Sequence, residues 1–141
     1  MTTVPAVEIN PWRRLRELAH VTLLWHDGGS MGHTSHRFQA ISLRRGMTWA
    51  ERRCTVQHEL LHLERGWQPL GLRAKDEELV RRETSRLMLP SIETVGEAIA
   101  WSHSIEEAAD ELGVDVYVLR KRLRHLHPAE RHYLSRRLTD D

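Results

Sequence analysis

The chain has few of the features that mark secreted or membrane proteins. Cysteine occurs once, at Cys54, so no disulfide can form within the chain, and a reducing, cytoplasmic location is expected. No apolar run approaches the ~18 residues that a membrane-spanning helix needs. The N-terminal segment, MTTVPAVEINPWRRLREL, lacks a basic region followed by an apolar core, so neither a secretory signal nor a membrane partner is expected.

Net charge is also nearly absent. The 21 basic and 20 acidic side chains leave a formal charge of +1, which argues against polyanion binding by the protein as a whole. The length of 141 residues and the hydrophobic content of 40% are sufficient for one domain with its own core. Histidine, by contrast, is abundant, with ten residues, and this directs attention to metal chemistry.

The hydrophobic pattern predicts a small sheet followed by helices. Segments 21–26 and 37–43 have strand-like composition, and the glycine-rich stretch between them predicts an antiparallel hairpin with a long loop. Beyond residue 48 the apolar spacing is helical, with capping residues at the starts and Gly or Pro at the ends. This order of elements predicts an α+β fold. The predicted helices begin at Pro11 and then cover 49–65, 76–89, 91–102, 104–112, 116–126 and a segment from Pro128.

The stretch CTVQHELLHLERG, residues 54–66, carries the chemistry. His58 and His62 are four residues apart, so on a helix their imidazoles lie on one face and both can reach one zinc ion, Zn2+, at roughly 2.0–2.1 Å. Glu59 is rotated about 100° from His58, which places its carboxylate beside the metal as a catalytic base. The pattern H-E-x-x-H is the metalloprotease signature. The apolar residues around it predict a largely buried helix.

A catalytic zinc site usually takes a third protein ligand. In the helix predicted over 76–89, the inward-facing stripe consists of Leu79, Val80, Thr84, Leu87 and Met88. Glu83 falls in the middle of this stripe, four residues after Leu79 and four before Leu87. A carboxylate on an apolar face is costly unless it is paired or bound to a metal, so Glu83 is the expected third ligand. Glu77, at the edge of the same stripe, and Glu78 remain alternatives.

Three segments together resemble a known family. ERRCTVQHELLHLERG, DEELVRRETSRLMLP and AADELGVDVYVLRKRL occur in the order found in ImmA/IrrE-type zinc metallopeptidases, especially the short forms of actinobacteria and their phages. The resemblance covers roughly residues 20–127. It implies a zincin-like fold and a zinc ion held by the two motif histidines and a downstream glutamate, with the motif glutamate as general base. The family's downstream glutamate aligns with Leu79, one helical turn before Glu83.

The resemblance also implies a substrate and a division of the chain. Some members of the family cut a helix-turn-helix repressor encoded nearby, so the expected partner is a protein substrate of this kind. The expected organisation is a single domain over 1–141, with a peptidase core at about 20–102 and a helical C-terminal subdomain at 103–138. The strand at 37–43 is expected to hold an extended substrate segment at the sheet edge.

A second hypothesis concerns the C-terminal segment SIEEAADELGVDVYVLRKRLRHL. Its helix, glycine-containing turn and helix form a helix-turn-helix-like pattern, and the second helix ends in basic residues, so this part alone is a candidate DNA-binding or protein-binding regulator with a purely structural zinc. Base-reading residues usually lie near the start of the second helix, where this chain has Asp115, Val116 and Tyr117. Nucleic acid is therefore a secondary expectation, and no oligomeric state is assigned.

Overall fold

The computed structural model describes residues 9–139. These residues form two compact units, one of residues 10–84 and one of residue 9 together with residues 85–139. Together they contain seven α-helices and a three-stranded sheet, which makes the fold α+β as predicted. No helix among the described residues has the length and apolar character that crossing a membrane requires.

The first unit places a small sheet against a long helix. Its core consists of apolar side chains from the first helix, the central strand, the long helix and the loop before the long helix. The buried members of this core are Leu15, Ile41, Leu43, Met47, Val56 and Leu60. The elements of this unit are α1 (Pro11–Glu17), β1 (Thr22–His26), β2 (Gly32–Ser35), β3 (Ala40–Arg44), α2 (Trp49–Arg65), a 3-10 turn (Leu70–Leu72) and α3 (Arg73–Met88), whose last residues belong to the second unit.

The predicted antiparallel hairpin of two strands is wrong. β1 and β3 pair in parallel, and β2, from within the stretch expected to be a loop, pairs antiparallel with β3 in the order β1-β3-β2. β2 has the sequence GHTS, which has little of the β-branched and aromatic character typical of strands. It is held as a strand by its pairing with the apolar β3, from Gly32 opposite Leu43 to Ser35 opposite Ala40. The sheet is therefore mixed, and β3 is its central strand.

The regular elements of the second unit, over its described residues, are all helices. α4 packs against both α5 and α7, and α5 packs against α6. α4 was expected to belong to the N-terminal core that ends at residue 102, whereas its contacts place it in this unit. The helices are α4 (Ile92–Trp101), α5 (Ile105–Leu112), α6 (Val116–Arg124) and α7 (Pro128–Thr139).

Candidate metal centre

α2 has the bounds predicted from its local sequence signals. Thr48 and Glu51 form a reciprocal capping box at its start, and Gly66, at φ +85°, ends it. The helix packs against α1, β2 and β3, and most of its middle residues are buried, as expected. His58 and His62 lie on the part of its surface that remains partly open, with side chains 21% and 14% exposed. The two Nε2 atoms are 3.2 Å apart.

Glu77, in the second turn of α3, joins the two histidines. Its Oε1 lies 2.8 Å from His58 Nε2, and its Oε2 lies 2.8 Å from His62 Nε2. Hydrogen bonds from both rings hold the pKa of the Glu77 carboxyl well below its ordinary range. Within residues 9–139, His58, His62 and Glu77 are the one group of potential ligands close enough to share a metal ion. We name these three residues the histidine–glutamate cluster.

The spacing and chemistry of this cluster fit a zinc ion. Ligands placed tetrahedrally at about 2.0–2.1 Å from zinc lie about 3.3–3.4 Å from one another. The separation of 3.2 Å between the two Nε2 atoms is close to this value, and each Nε2 lies 2.8 Å from a different oxygen of the Glu77 carboxylate, about half an ångström closer than in such a site. Two imidazoles and one carboxylate are the donor set of many catalytic zinc sites. Glu77 is 35% exposed, so water reaches the cluster.

Asp76 orients His62 from behind the cluster. Its Oδ2 accepts a hydrogen bond from His62 Nδ1 at 3.0 Å, and its Oδ1 pairs with Arg65 Nε. Burial would raise the pKa of Asp76, but the hydrogen bonds from Arg65 and His62 outweigh burial and lower it. With its proton fixed on Nδ1, His62 turns Nε2 toward Glu77 and His58. Sequence reasoning missed Asp76, because its pairing with His62, 14 residues earlier, arises only when α3 packs against α2.

The His62 ring lies between two carboxylates, which favour a positive charge at this position. Both of its ring nitrogens face carboxylate oxygens, Nδ1 toward Asp76 and Nε2 toward Glu77. Burial disfavours the imidazolium, but the hydrogen bond to Glu77 and the charges of Glu77 and Glu59 outweigh burial and raise the pKa of His62. In the metal-free protein the two carboxylates therefore stabilise the protonated ring. A bound metal ion would supply the positive charge in place of that proton.

Glu59 lies beside the histidine–glutamate cluster and is not a member of it. Its side chain is buried, at 5% exposure, and its Oε2 accepts a hydrogen bond of 2.6 Å from the Thr34 hydroxyl on β2. The Glu59 charge acts on His62, so the carboxylate is close to the cluster. The prediction that Glu59 acts as the catalytic base beside a metal ion stays a prediction.

The expectation that Glu83 lies on the inner face of its helix is wrong. Glu83 is exposed, and it is not part of the cluster. Val80 and Thr84, which were predicted to face inward, are buried, and Asp76 is buried on the same side, whereas Glu83 is turned about 100° away from Thr84. Leu79, which was also assigned to that face, is 37% exposed. Of the three glutamates considered, Glu77 is the one brought to the histidines.

The basic C-terminal segment is partly used in internal packing. Arg122 is fully buried, donates a hydrogen bond to the backbone oxygen of Leu89, and forms a bidentate ion pair with Glu130. Hydrogen bonds from Arg122 and Arg86 hold the pKa of the Glu130 carboxyl well below its ordinary range. At the start of α6, the Asp115 side chain caps the helix by accepting from the backbone of Val118. Arg122 is therefore removed from any phosphate-binding face.

Comparisons with protein-family models, with curated proteins and with solved structures found no significant match.

Proposed function

We propose that the protein is a zinc-dependent endopeptidase of zincin type, and that His58, His62 and Glu77 hold the zinc ion. One observation carries the proposal: three donor groups of the right kind converge at 2.8–3.2 Å, with a buried carboxylate beside them that is not a donor. A structural zinc site is usually closed by four protein ligands, whereas three ligands leave a position for water or substrate. The arrangement therefore favours catalysis over a structural role.

The roles of the residues follow from their contacts. Zinc bound at this cluster would polarise a peptide carbonyl and lower the pKa of a coordinated water to about 7. Glu59 accepts the proton of the attacking water at its carboxylate and later delivers a proton to the leaving amine. Asp76 keeps the His62 proton on Nδ1, which leaves Nε2 free to bind. His58 and Glu77 complete the ligand set.

The substrate is proposed to be a protein that presents an extended segment. The strand expected to receive it, 37–43, corresponds to β3, and this expectation is wrong because β1 and β2 already occupy both edges of β3. β2 is an edge strand and contacts Glu59 through Thr34. A segment that adds to the outer edge of β2 would therefore run beside the catalytic carboxylate. By the resemblance described above, a helix-turn-helix repressor is the proposed substrate.

The metal is tested first. Purified protein is expected to contain one zinc ion per chain by elemental analysis, and the His58→Ala/His62→Ala double variant is expected to contain none. Glu83→Gln, an exposed change on α3, serves as the matched control and should retain zinc. Full zinc occupancy in the double variant would place the metal elsewhere and remove the basis of the proposal.

Catalysis is tested with Glu59→Gln. Because Glu59 is not a ligand, this variant should keep its fold and its zinc, while losing a general base that typically contributes about 10²–10⁴-fold to the rate. Wild type and variant are incubated with candidate repressors, and discrete cleavage products are followed by mass spectrometry. A zinc-loaded Glu59→Gln protein that cuts as fast as wild type would refute the peptidase function.

A further inference from the structure

The carboxylate of Glu59 is held from one side by a single hydroxyl. Thr34 Oγ1 lies 2.6 Å from Glu59 Oε2 and 3.2 Å from the Glu59 backbone oxygen. A hydroxyl has one proton to donate, and the shorter contact leads to the charged and stronger acceptor. Within residues 9–139, Thr34 is the one side chain that donates a hydrogen bond to this carboxylate. Since Glu59 is only 5% exposed, water cannot easily replace that hydroxyl.

Gly32 sets how closely β2 approaches the same carboxylate. It is two residues before Thr34, so both positions are on one face of the strand. A Cβ atom at position 32 would lie 2.5 Å from Thr55 Cγ2, 3.2 Å from Glu59 Cγ and 3.3 Å from Glu59 Oε1. The first distance is far below the 3.5–4.0 Å at which carbon atoms attract each other. Only glycine therefore allows the strand to lie at this distance, and a side chain at position 32 would press on Oε1.

We propose that Thr34 is a positioning residue for the general base, and that Gly32 and Thr34 together determine which oxygen of Glu59 acts. Thr34 occupies Oε2 and fixes the rotation of the carboxylate group. Oε1, next to the position where glycine has no side chain, is the oxygen that accepts the proton. This inference rests on the proposed function, since it assigns a role to β2 in the same reaction.

The contact is tested by infrared spectroscopy of the metal-free protein. The difference spectrum between each protein and its Glu59→Gln counterpart isolates the carboxylate stretching bands of Glu59. Thr34→Val removes the hydroxyl at nearly constant volume, and we expect it to shift the antisymmetric band. Thr34→Ser retains the hydroxyl and should return the band toward its wild-type position. An unshifted band in Thr34→Val, or no recovery in Thr34→Ser, overturns the proposal.

Gly32 is tested with a paired variant, because Gly32→Ala alone forces a clash with the Thr55 methyl group. Thr55→Ser removes that methyl while keeping the hydroxyl that donates to the Glu51 backbone oxygen at 2.7 Å. We expect Gly32→Ala/Thr55→Ser to fold and to shift the Glu59 band, since the new methyl still faces Oε1. Thr55→Ser alone should leave the band in place. A folded double variant with an unshifted band contradicts the assignment of Oε1.

These results are separable from a failure of the peptidase proposal. The infrared bands report the Thr34 contact whether or not the protein cuts a substrate. Conversely, rapid cleavage by zinc-loaded Glu59→Gln would refute the peptidase function without altering the bands. A positioning role further predicts that zinc-loaded Thr34→Val has a lower kcat than zinc-loaded wild type, with the same KM and zinc content. A change in KM alone would contradict it.

Discussion

Replacing Asp76 by asparagine should weaken zinc binding, although Asp76 is not a proposed ligand. The carboxylate now accepts from two donors at once, His62 Nδ1 at 3.0 Å and Arg65 Nε. An asparagine amide has one oxygen and one NH2 group, so it cannot accept on both sides. If its oxygen faces His62, the NH2 group opposes the Arg65 guanidinium, which can only donate. In the reverse orientation, the NH2 group donates to Nδ1 and selects the tautomer that carries its proton on Nε2.

The tautomer that carries its proton on Nε2 cannot bind a metal through that atom. The variant must therefore either place the asparagine NH2 group against Arg65 or hold His62 in this tautomer. Changes to such orienting partners typically cost about 10–100-fold in metal affinity, which corresponds to about 1.4–2.7 kcal/mol. The Asp76 side chain is only 8% exposed, so water has little room to replace the lost acceptor. We therefore expect a loss of affinity within that range.

The assay is competition for zinc with a chromophoric chelator at neutral pH, using wild type, Asp76→Asn and Arg65→Gln. Arg65→Gln breaks the ion pair but keeps the carboxylate that accepts from His62, so it should lose much less affinity than Asp76→Asn. Unfolding curves of the three proteins control for a general loss of structure. Unchanged affinity in Asp76→Asn, or an equal loss in Arg65→Gln, would refute the argument from the His62 tautomer.

Two further predictions concern other carboxylates. Glu77→Gln should weaken zinc binding more than Asp76→Asn does, because it alters a proposed ligand directly, whereas Glu83→Gln should have no effect. The same competition assay ranks the three variants. Equal effects of Glu77→Gln and Glu83→Gln would contradict the assignment of Glu77. Glu130 has a lowered pKa through its pairing with Arg122, so its contribution to stability is present above the ordinary glutamate value of about 4.3 and is lost as the pH falls below it. Urea unfolding between neutral and acidic pH should therefore show a steeper loss of stability in wild type than in Glu130→Gln, and parallel curves would contradict this.

Local sequence was sufficient for α2 and its two histidines. The Thr48–Glu51 capping box and Gly66 are contacts within a few residues of the helix ends, so they operate wherever the helix is placed. The separation of four residues then puts His58 and His62 on one face by helix geometry alone. For the same reason the starts of the later helices were predictable from their capping residues, as with Ser91, whose side chain accepts from the backbone of Thr94.

Only the tertiary structure decided the sheet and the third member of the cluster. The residues of β2 have little intrinsic preference for a strand. They form one because they pair with β3, which supplies the hydrogen bonds. The periodicity of α3 placed Val80 and Thr84 inward correctly, but it also included the exposed Leu79 and Glu83, so it could not define the limits of the inner face. That face is determined by side chains far apart in sequence: Val80 and Thr84 are buried, while Asp76 and Glu77 reach the histidines of α2. A rotation of about 100° separates Glu83 from the inner face, and the free energy that sets this rotation comes from packing, which no local pattern contains.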